Sequence, residues 1–208
     1  MDKQNVITSY PSFLPEEIDI FLNKAYLATI NRKVTGNNAT QMPFQGDSKS
    51  ISELNPLIKV TALTSPTAVT TVANCYKFSL PNDFLYYITS IASFAPSGTA
   101  EVKVVTHQEA KNASYTDVNK PWLPVPVGVL QDKSFQIYFD KLTYTSPSTL
   151  NLTYIFRPSV IDFGTTPSAN IEVNDSFVYE IISLAVYYAL ENIQSVRQQS
   201  KIQDLTIQ

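Results

Sequence analysis

Few side chains of this sequence could act as a nucleophile, a general base or a metal ligand. The chain of 208 residues has one cysteine, Cys75, and one histidine, His107. A Ser-His-Asp triad or a multi-histidine metal site therefore has only one imidazole to draw on. Cys75 has no neighbouring base in the sequence, which favours a small buried apolar residue over a nucleophile. His107 lies between "EVKVVT" and "QEAK", which favours a strand-to-helix turn, with a lone general base as the alternative.

The glycines and the acidic residues give no sign of a catalytic or phosphate-binding motif. None of the five glycines belongs to a GxGxxG or GxxxxGK[ST] pattern. Glu16 and Glu17 are typical of a helix N-terminus, and Asp132 and Asp140 bracket the run "SFQIYF" as turn residues. A glycosidase-like pair of carboxylates has no positive support. We therefore expect no enzymatic activity, no cofactor and no metal site.

Arg157, within "TYIFRPSVIDF" at residues 153–163, presents a choice between an anion-binding site and a structural joint. Pro158 removes a hydrogen-bond donor from the strand ladder and pushes Arg157 towards extended geometry. The alternating Tyr154 and Phe156 end a strand, so we expect the chain to leave the sheet here. Because no catalytic companion is visible, we expect Arg157 to anchor this joint by pairing with Asp162 or with a carboxylate of an adjacent subunit.

The composition indicates a folded chain whose surface is partly covered. Hydrophobic residues make up 44% and charged residues 16% of the sequence, which also contains 12 Tyr and 11 Phe. Globular domains usually have about 25% charged residues, and interfaces are enriched in Tyr and Phe. Sister subunits or partner proteins are the covers that fit. A net charge of −3 and the absence of a Lys/Arg block disfavour binding to a nucleic-acid backbone.

No segment of the sequence predicts secretion or a membrane span. The N-terminal residues lack the apolar core of a signal peptide, and the single cysteine fits synthesis in a reducing cytoplasm. The longest apolar run, "IISLAVYYAL" at residues 181–190, has about half the length needed to cross a bilayer. We expect it to form part of a buried helix.

Two amphipathic helices are predicted, one near each end of the chain. The first begins at Pro15, has acidic residues in its first turns and stops at Gly36. Its predicted buried stripe consists of Ile18, Phe21, Leu22, Ala25 and Thr29. The second helix follows the N-cap residue Asn174, and about half of its circumference is apolar near its middle. We expect the two helices to pack together, with Tyr187 or Tyr188 covered by a neighbouring subunit or by the first helix.

A polar segment, residues 37–55, follows the first helix and shows no sustained periodicity. We predict a long loop here. A loop of this length is usually functional or held by a partner, with Phe44 as the anchoring residue. A mobile connector in which Phe44 is incidental is the alternative.

Residues 57–157 contain seven β-prone runs separated by Pro, Asn, Gly and Ser. The runs are "LIKVTAL", "AVTTVA", "YKFSL", "FLYYITSIASFA", "EVKVVTH", "SFQIYFD" and "LNLTYIF". Short runs at this spacing are typical of an antiparallel sandwich or a small barrel. The segment between the fifth and sixth runs, residues 107–130, is predicted to be irregular, with Trp122 packed over one edge of the sheet.

The predicted fold class is α+β, with N-terminal and long C-terminal helices packed together and an antiparallel β-sandwich-like insertion between them. The predicted domains are residues 1–56, the first helix and the polar loop; residues 57–157, the β domain; and residues 158–208, an elbow and the C-terminal helix.

Three stretches carry a resemblance to a known class of proteins. They are "LPEEIDIFLNKAYLATINRK", "LPNDFLYY", and the region from "LTYIFRPSVIDF" to "FVYEIISLAVYYALENI". In this order the parts resemble the head-to-tail connector proteins of short-tailed bacteriophages, and they are most similar to the ring or adaptor proteins of crAss-like phages. The resemblance covers most of the chain, and none of its motifs is a catalytic signature.

This resemblance implies a structural virion protein. It implies a homo-oligomeric ring of about twelve copies that docks on the portal protein or on a neighbouring tail ring. Genomic DNA would pass through the lumen without sequence-specific binding, and a mildly negative lumen would let it slide. The chain would be made in the host cytoplasm and reside in the virion, at the head-to-tail interface or in the tail. The expected interface residues are Phe44, Trp122, Arg157, Tyr187 and Tyr188.

The alternative function is a non-catalytic β-sandwich module that binds a carbohydrate or a protein ligand. Its basis is the aromatic content, because an exposed Trp122 and tyrosines could stack on a sugar ring. The flanking helices, the single tryptophan and the missing secretion signal count against it.

Overall fold

The chain divides into two compact units, which we call the helical unit and the β unit. The computed structural model describes residues 13–36, 48–70, 74–95, 98–110, 125–140, 146–162, 164 and 173–206, with side chains of the last helix described to residue 193. The helical unit is formed by Met1–Pro56 and Pro158–Gln208, and the β unit by Leu57–Arg157. The predicted α+β class, with a sheet region between helices, is confirmed.

Three helices form the described part of the helical unit. They are α1 (Pro15–Thr35), α2 (Ser48–Leu54) and α3 (Asp175–Thr206). At the start of α1, the Glu17 carboxylate accepts a hydrogen bond from the Leu14 backbone N–H, and Pro15 occupies the first turn, where no donor is needed. Gly36 ends the helix in the left-handed region at φ 77°, as its type predicts.

The buried face of α1 differs from the predicted stripe. Ala25 and Thr29 are buried as predicted, but Ile18 is 46% exposed. The face is completed towards the C-terminus by Tyr26, Ile30 and Lys33. The reason is the position of α3, whose first turns pack against this half of α1: the rings of Tyr26 and Phe177 meet edge to face at 6.3 Å. Hydrophobic spacing alone does not reveal which half of a helix has a partner.

Residues 48–54, predicted to be loop, form α2, and a short 3₁₀ turn, Asn55–Leu57, follows it. The prediction was wrong because α2 is too short for its periodicity to stand out. Its buried face is also largely polar: Ser50 and Glu53 are buried beside Leu54. Phe44 lies outside the described residues.

The β unit is a sandwich of two sheets. The strands are β1 (Ile58–Leu63), β2 (Thr67–Ala68), β3 (Cys75–Ser79), β4 (Phe84–Ala95), β5 (Gly98–Glu101), β6 (Lys103–Val104), β7 (Val127–Gln131), β8 (Ser134–Tyr138) and β9 (Ser146–Phe156). From one edge to the other, the first sheet has the strand order β1-β9-β4-β5 and the second has the order β2-β3-β8-β7-β6. The strand pairs are antiparallel except β6 with β7, which is parallel.

The two sheets bury their inner faces against each other. Tyr87 of β4 stacks on Phe135 of β8 with ring centres 5.8 Å apart, and Phe94 meets Phe139 at 5.5 Å. The shared core consists of Phe78, Ala92, Phe94, Ala100, Val102, Phe135, Ile137, Phe139 and Leu150. The alternation of residues along β8 and β9 accounts for this core, because every second side chain points inward.

Strand β7 lies inside the segment that was predicted to be irregular. The prediction was wrong there, because β7 pairs with β8 through the two-residue turn at Asp132 and Lys133, where Asp132 has φ 51°. Gly128 is needed for packing: a Cβ there would lie 2.6 Å from Cζ of Phe135 and 2.7 Å from Cγ1 of Val102. The predicted run "EVKVVTH" is also divided, between β5 and β6. Trp122 lies outside the described residues.

Candidate functional site

The outer side of α3 is the largest exposed apolar feature of the described helices. On its inner side Phe177, Ile181 and Ala185 are buried at four-residue steps. Tyr179 follows Phe177 by two residues, a rotation of about 200° around the helix, and begins a second stripe on the opposite side. This outer stripe of α3 consists of Tyr179, Ile182, Val186 and Leu190, with exposures of 71%, 44%, 52% and 53%. Within residues 175–193, α3 is therefore apolar on two opposite sides, and the described residues pack against one of them.

Tyr187 and Tyr188, predicted to lie at an interface, have different surroundings. Tyr188 is half-buried, and Nζ of Lys24 on α1 lies 4.3 Å from the centre of its ring. This is a cation–π distance. Tyr187 is 60% exposed and borders the outer stripe of α3. Within this chain, Tyr188 therefore serves the contact with α1, whereas Tyr187 remains open to a partner.

The outer side of α1 also presents apolar side chains. Ile20 and Leu27, two helical turns apart on one side, are 64% and 36% exposed. Lys24, which is also exposed, lies between them. We call these three residues the outer side of α1.

A buried charge cluster joins the three helices of the helical unit. The Lys33 ammonium of α1 donates a hydrogen bond to Oε2 of Glu53 on α2 and lies 2.9 Å from Oε2 of Glu180 on α3. Burial lowers the pKa of Lys33, but hydrogen bonds to Glu53 and Glu180 outweigh it, so the pKa is raised above 10.5. The other oxygen of Glu53, Oε1, lies 3.6 Å from Nζ of Lys49, too far for a direct hydrogen bond.

The sequence analysis did not predict this cluster. A signal was present, because Ala25, Thr29 and Lys33 follow one another at four-residue steps on the buried face. A lysine in that position needs an acidic partner. The identity of that partner was not visible, since Glu53 lay in a predicted loop.

Asp83 is the centre of the junction at the end of the β unit. Its carboxylate accepts hydrogen bonds from the Tyr154 hydroxyl at 2.9 Å and from Nζ of Lys59 at 2.8 Å. Its backbone carbonyl accepts one from the Arg157 N–H at 2.6 Å. The hydrogen bond from Lys59 is the main reason why the pKa of Asp83 is lowered. Asp83 thus connects β1, β9 and the point where the chain leaves the sheet.

Arg157 lies at this exit, as predicted from Pro158, and its side chain is exposed. The chain is anchored at this exit by the hydrogen bond from the backbone N–H of Arg157 to the backbone carbonyl of Asp83. Pairing of the guanidinium with a carboxylate of Asp162 or of an adjacent subunit stays a prediction. Sequence reasoning noted "LPNDF" only as part of a motif, although Pro81, Asn82 and Asp83 between two strands mark a turn whose acid can bind back to the sheet.

In the helical unit, Asn23 of α1 holds the segment that follows Pro158. Its side-chain NH₂ donates to the Ile161 carbonyl at 2.8 Å, and its side-chain oxygen accepts the Ile161 N–H at 2.9 Å. One amide side chain thereby satisfies the backbone N–H and the backbone carbonyl of Ile161, which lies in an irregular segment. Asn23 is the residue that positions the predicted elbow on α1.

The two residues first considered for catalysis have structural settings. Cys75 is buried, and burial raises the pKa of its thiol to about 11, so the thiol is protonated at neutral pH. His107 is exposed and begins a helical turn at residues 107–110. The hydroxyl of Thr106 accepts a hydrogen bond from the Glu109 N–H, and the Glu109 carboxylate accepts one from the Thr106 N–H, an arrangement that caps this turn.

Among the described residues, no group of three or more His, Cys, Asp or Glu side chains could hold a metal ion. No described helix combines the length and the apolar character needed to span a membrane. No protein-family model matches the sequence, and a search of curated proteins finds no similar protein.

Proposed function

We propose that this chain is a structural subunit of a homo-oligomeric ring in the head-to-tail connector or tail of a short-tailed bacteriophage. The observation that supports this proposal best is the outer stripe of α3, an exposed apolar surface on a helix whose opposite side is already packed. A helix that is apolar on both sides is normally covered on both. In this proposal, the surface of another protein subunit covers the outer stripe of α3.

The proposal assigns the parts of the chain as follows. Identical subunits close a ring of about twelve copies through head-to-tail contacts, each presenting two different surfaces. The ring docks on the portal protein or on an adjacent tail ring, and the genome passes through its lumen without sequence-specific contacts. The net charge of −3 suits this passage, since like charge weakens adhesion of DNA. The chain acts in the virion after synthesis in the host cytoplasm.

The test is the mass of the purified chain in solution, measured with and without the phage portal protein. We expect ring-sized particles in at least one of the two samples. Tyr187→Asp should abolish these particles, because it places a charge beside the outer stripe of α3, and should leave the monomer folded. Val60→Asp is the matched control, since Val60 is 66% exposed in the β unit. A chain that stays monomeric in both samples contradicts the proposal.

No observation favours the carbohydrate-binding alternative in the described part of the β unit. Its large apolar side chains that are exposed, Val60 and Ile91, are aliphatic and offer no ring for stacking on a sugar. Trp122, on which that alternative depended, lies outside the described residues.

A further inference from the structure

We infer that the outer stripe of α3 packs against the outer side of α1 in a second copy of this chain. The inference rests on the proposed ring and names the two surfaces that join its subunits. Such a contact is head to tail, because each copy uses α3 towards one neighbour and α1 towards the other. In the assembly every α3 would then lie between two α1 helices, its own and that of a neighbour.

The contact within one chain shows that these two helices are compatible. The inner side of α3 buries Phe177 and Ile181 against α1, and Lys33 of α1 pairs with Glu180. The outer stripe of α3 has the same three- and four-residue spacing as this inner side. Ile20 and Leu27 on α1 supply matching apolar side chains, two turns apart.

The charges of the two helices favour the same pairing. From Asp175 to Ile193, α3 has three acidic residues, Asp175, Glu180 and Glu191, and no basic residue. α1 has three acidic residues in its first turns, Glu16, Glu17 and Asp19, whereas from Ile20 to Thr35 it has three basic residues, Lys24, Arg32 and Lys33, and no acidic residue. Lys33 and Glu180 are used within the chain. Lys24 contacts the Tyr188 ring of its own chain. The exposed charges that remain are Asp175 and Glu191 on α3 and Arg32 in the C-terminal part of α1, and these are complementary.

The charges disfavour a contact between two identical surfaces. Two outer stripes of α3 packed together would bring two acidic helices into contact, with Glu191 in each. Two outer sides of α1 would bring Lys24 of each copy together. Like charges at an interface oppose association, so the pairing of unlike helices is preferred.

Cross-linking of variants that each carry one added cysteine tests which surfaces meet. Leu27→Cys and Val186→Cys place a thiol on the outer side of α1 and on the outer stripe of α3, at positions exposed enough to keep the fold. The native Cys75 needs no replacement, because it is buried and its thiol is protonated at neutral pH. The two variants, carrying different tags, are mixed in equal amounts. A short bismaleimide is then added to whichever sample contains the assembly, the chain alone or the chain with the portal protein.

We expect cross-links that join Leu27→Cys to Val186→Cys. They should be at least about tenfold more abundant than links between two copies of the same variant, which corresponds to a tenfold higher affinity of the α3/α1 contact than of a contact between identical surfaces. Val60→Cys mixed with either variant is the control for random collision. Predominant links between two Val186→Cys chains would overturn the inference in favour of a symmetric contact. Ring-sized particles without any of these links would also overturn it, because another surface then joins the copies, and the proposed function would stand.

A second measurement covers the case in which a thiol disturbs the contact. Leu27→Asp and Val186→Asp should each weaken association of the otherwise unmodified chain by about tenfold or more, as central apolar residues of interfaces do. The two variants mixed together should form pairs, through the unmodified α3 of Leu27→Asp and the unmodified α1 of Val186→Asp, but no closed ring, since each copy of a ring needs both surfaces. Unchanged association of either variant counts against the inference. If no assembly forms under any condition, the proposed function itself fails.

Discussion

The β unit covers its own apolar residues, whereas the helical unit does not. Among the described residues, the β unit exposes two large apolar side chains, Val60 and Ile91. The helical unit exposes eleven, namely Leu14, Ile18, Ile20, Leu27, Ile51, Val160, Tyr179, Ile182, Val186, Tyr187 and Leu190. The two units are encoded in one chain, so the difference reflects how each unit is built.

The difference in exposed apolar side chains follows from how the secondary-structure elements of each unit are layered. Two sheets, each with one apolar face, can bury both faces against each other, and the stacked pair Tyr87 and Phe135 lies between them. In the helical unit, α1 and α3 pack on one side of each other and leave their outer sides open. Among the described residues, the exposed apolar side chains are therefore concentrated in the helical unit, which is where the proposed ring contacts would lie.

The largest expected effect tests the core of the β unit. Phe135→Ala removes a fully buried ring that stacks on Tyr87, and we expect a loss of about 4 kcal/mol in the free energy of unfolding, typical of a large-to-small change in a core. Urea unfolding measures it, with the exposed Val60→Ala as control. A loss no larger than that of the control would show that the sandwich core is not close-packed and would break the comparison.

The second effect tests the charge cluster of the helical unit. Lys33→Met leaves the buried Glu53 without its main partner, and we expect a loss of about 3 kcal/mol, because an uncompensated buried charge is costly. Lys49→Met is the matched control, since Lys49 is 69% exposed and should contribute less than about 1 kcal/mol. Equal effects would mean that water reaches the cluster.

The same cluster has a defined pH dependence. The pKa of Lys33 is raised in the folded chain, so its contribution is fully present below the unfolded value of 10.5 and is lost as the pH rises through the folded pKa. Unfolding by urea at alkaline pH should therefore show a decline of stability that begins above pH 10.5 and is absent from Lys33→Met. A decline of equal size in that variant would assign it to other groups.

The third and smaller effect concerns the junction. Asp83→Ala removes the acceptor of the buried Tyr154 hydroxyl, and we expect a loss of about 1 kcal/mol, kept small because Asp83 is about one-third exposed. The pKa of Asp83 is lowered in the folded chain, so its contribution is present above the unfolded value of 3.8 and is lost as the pH falls through the folded pKa. This acid-dependent decline should be absent from Asp83→Ala.

The smallest effect on stability separates the two units most clearly. Val186→Ser and Val60→Ser remove exposed valines from the helical unit and the β unit, and each should change the free energy of unfolding by no more than about 0.5 kcal/mol. Only Val186→Ser should weaken self-association in sedimentation. Equal loss of association in both variants would show that the surface of the β unit around Val60 also takes part in self-association.

Sequence reasoning succeeded where one physical pattern dominates an element. The ends of α1 followed from Pro15 and Gly36, β4 from its apolar and aromatic run, and the exit of the chain at Arg157 from Pro158. The outer stripe of α3 was expected only as a wide apolar circumference. Which part of that circumference α1 leaves exposed is a tertiary property.

The failures share one cause, which is dependence on distant residues. Glu53 of α2 can be buried because its carboxylate pairs with Lys33 of α1. Gly128 lies in the segment that was predicted to be irregular, but its missing side chain makes room for Phe135. In the sequence Asn23 is an ordinary polar residue of a helix. Its role depends on Ile161, whose backbone N–H and carbonyl both form hydrogen bonds with the Asn23 amide. Local spacing carries no information about such pairs.

The clamp between Asn23 and Ile161 has a consequence for synthesis on the ribosome. These two residues are separated by 138 positions in the chain, so at a synthesis rate of about 5–20 residues per second Asn23 emerges about 7–28 s before Ile161. The β unit is contiguous, and its last strand, β9, is complete shortly before Ile161 emerges. Until α3 follows, the apolar side of α1 stays uncovered. We expect the nascent chain to be most vulnerable to aggregation and most dependent on chaperones in this window, after β9 is complete and before α3 is released.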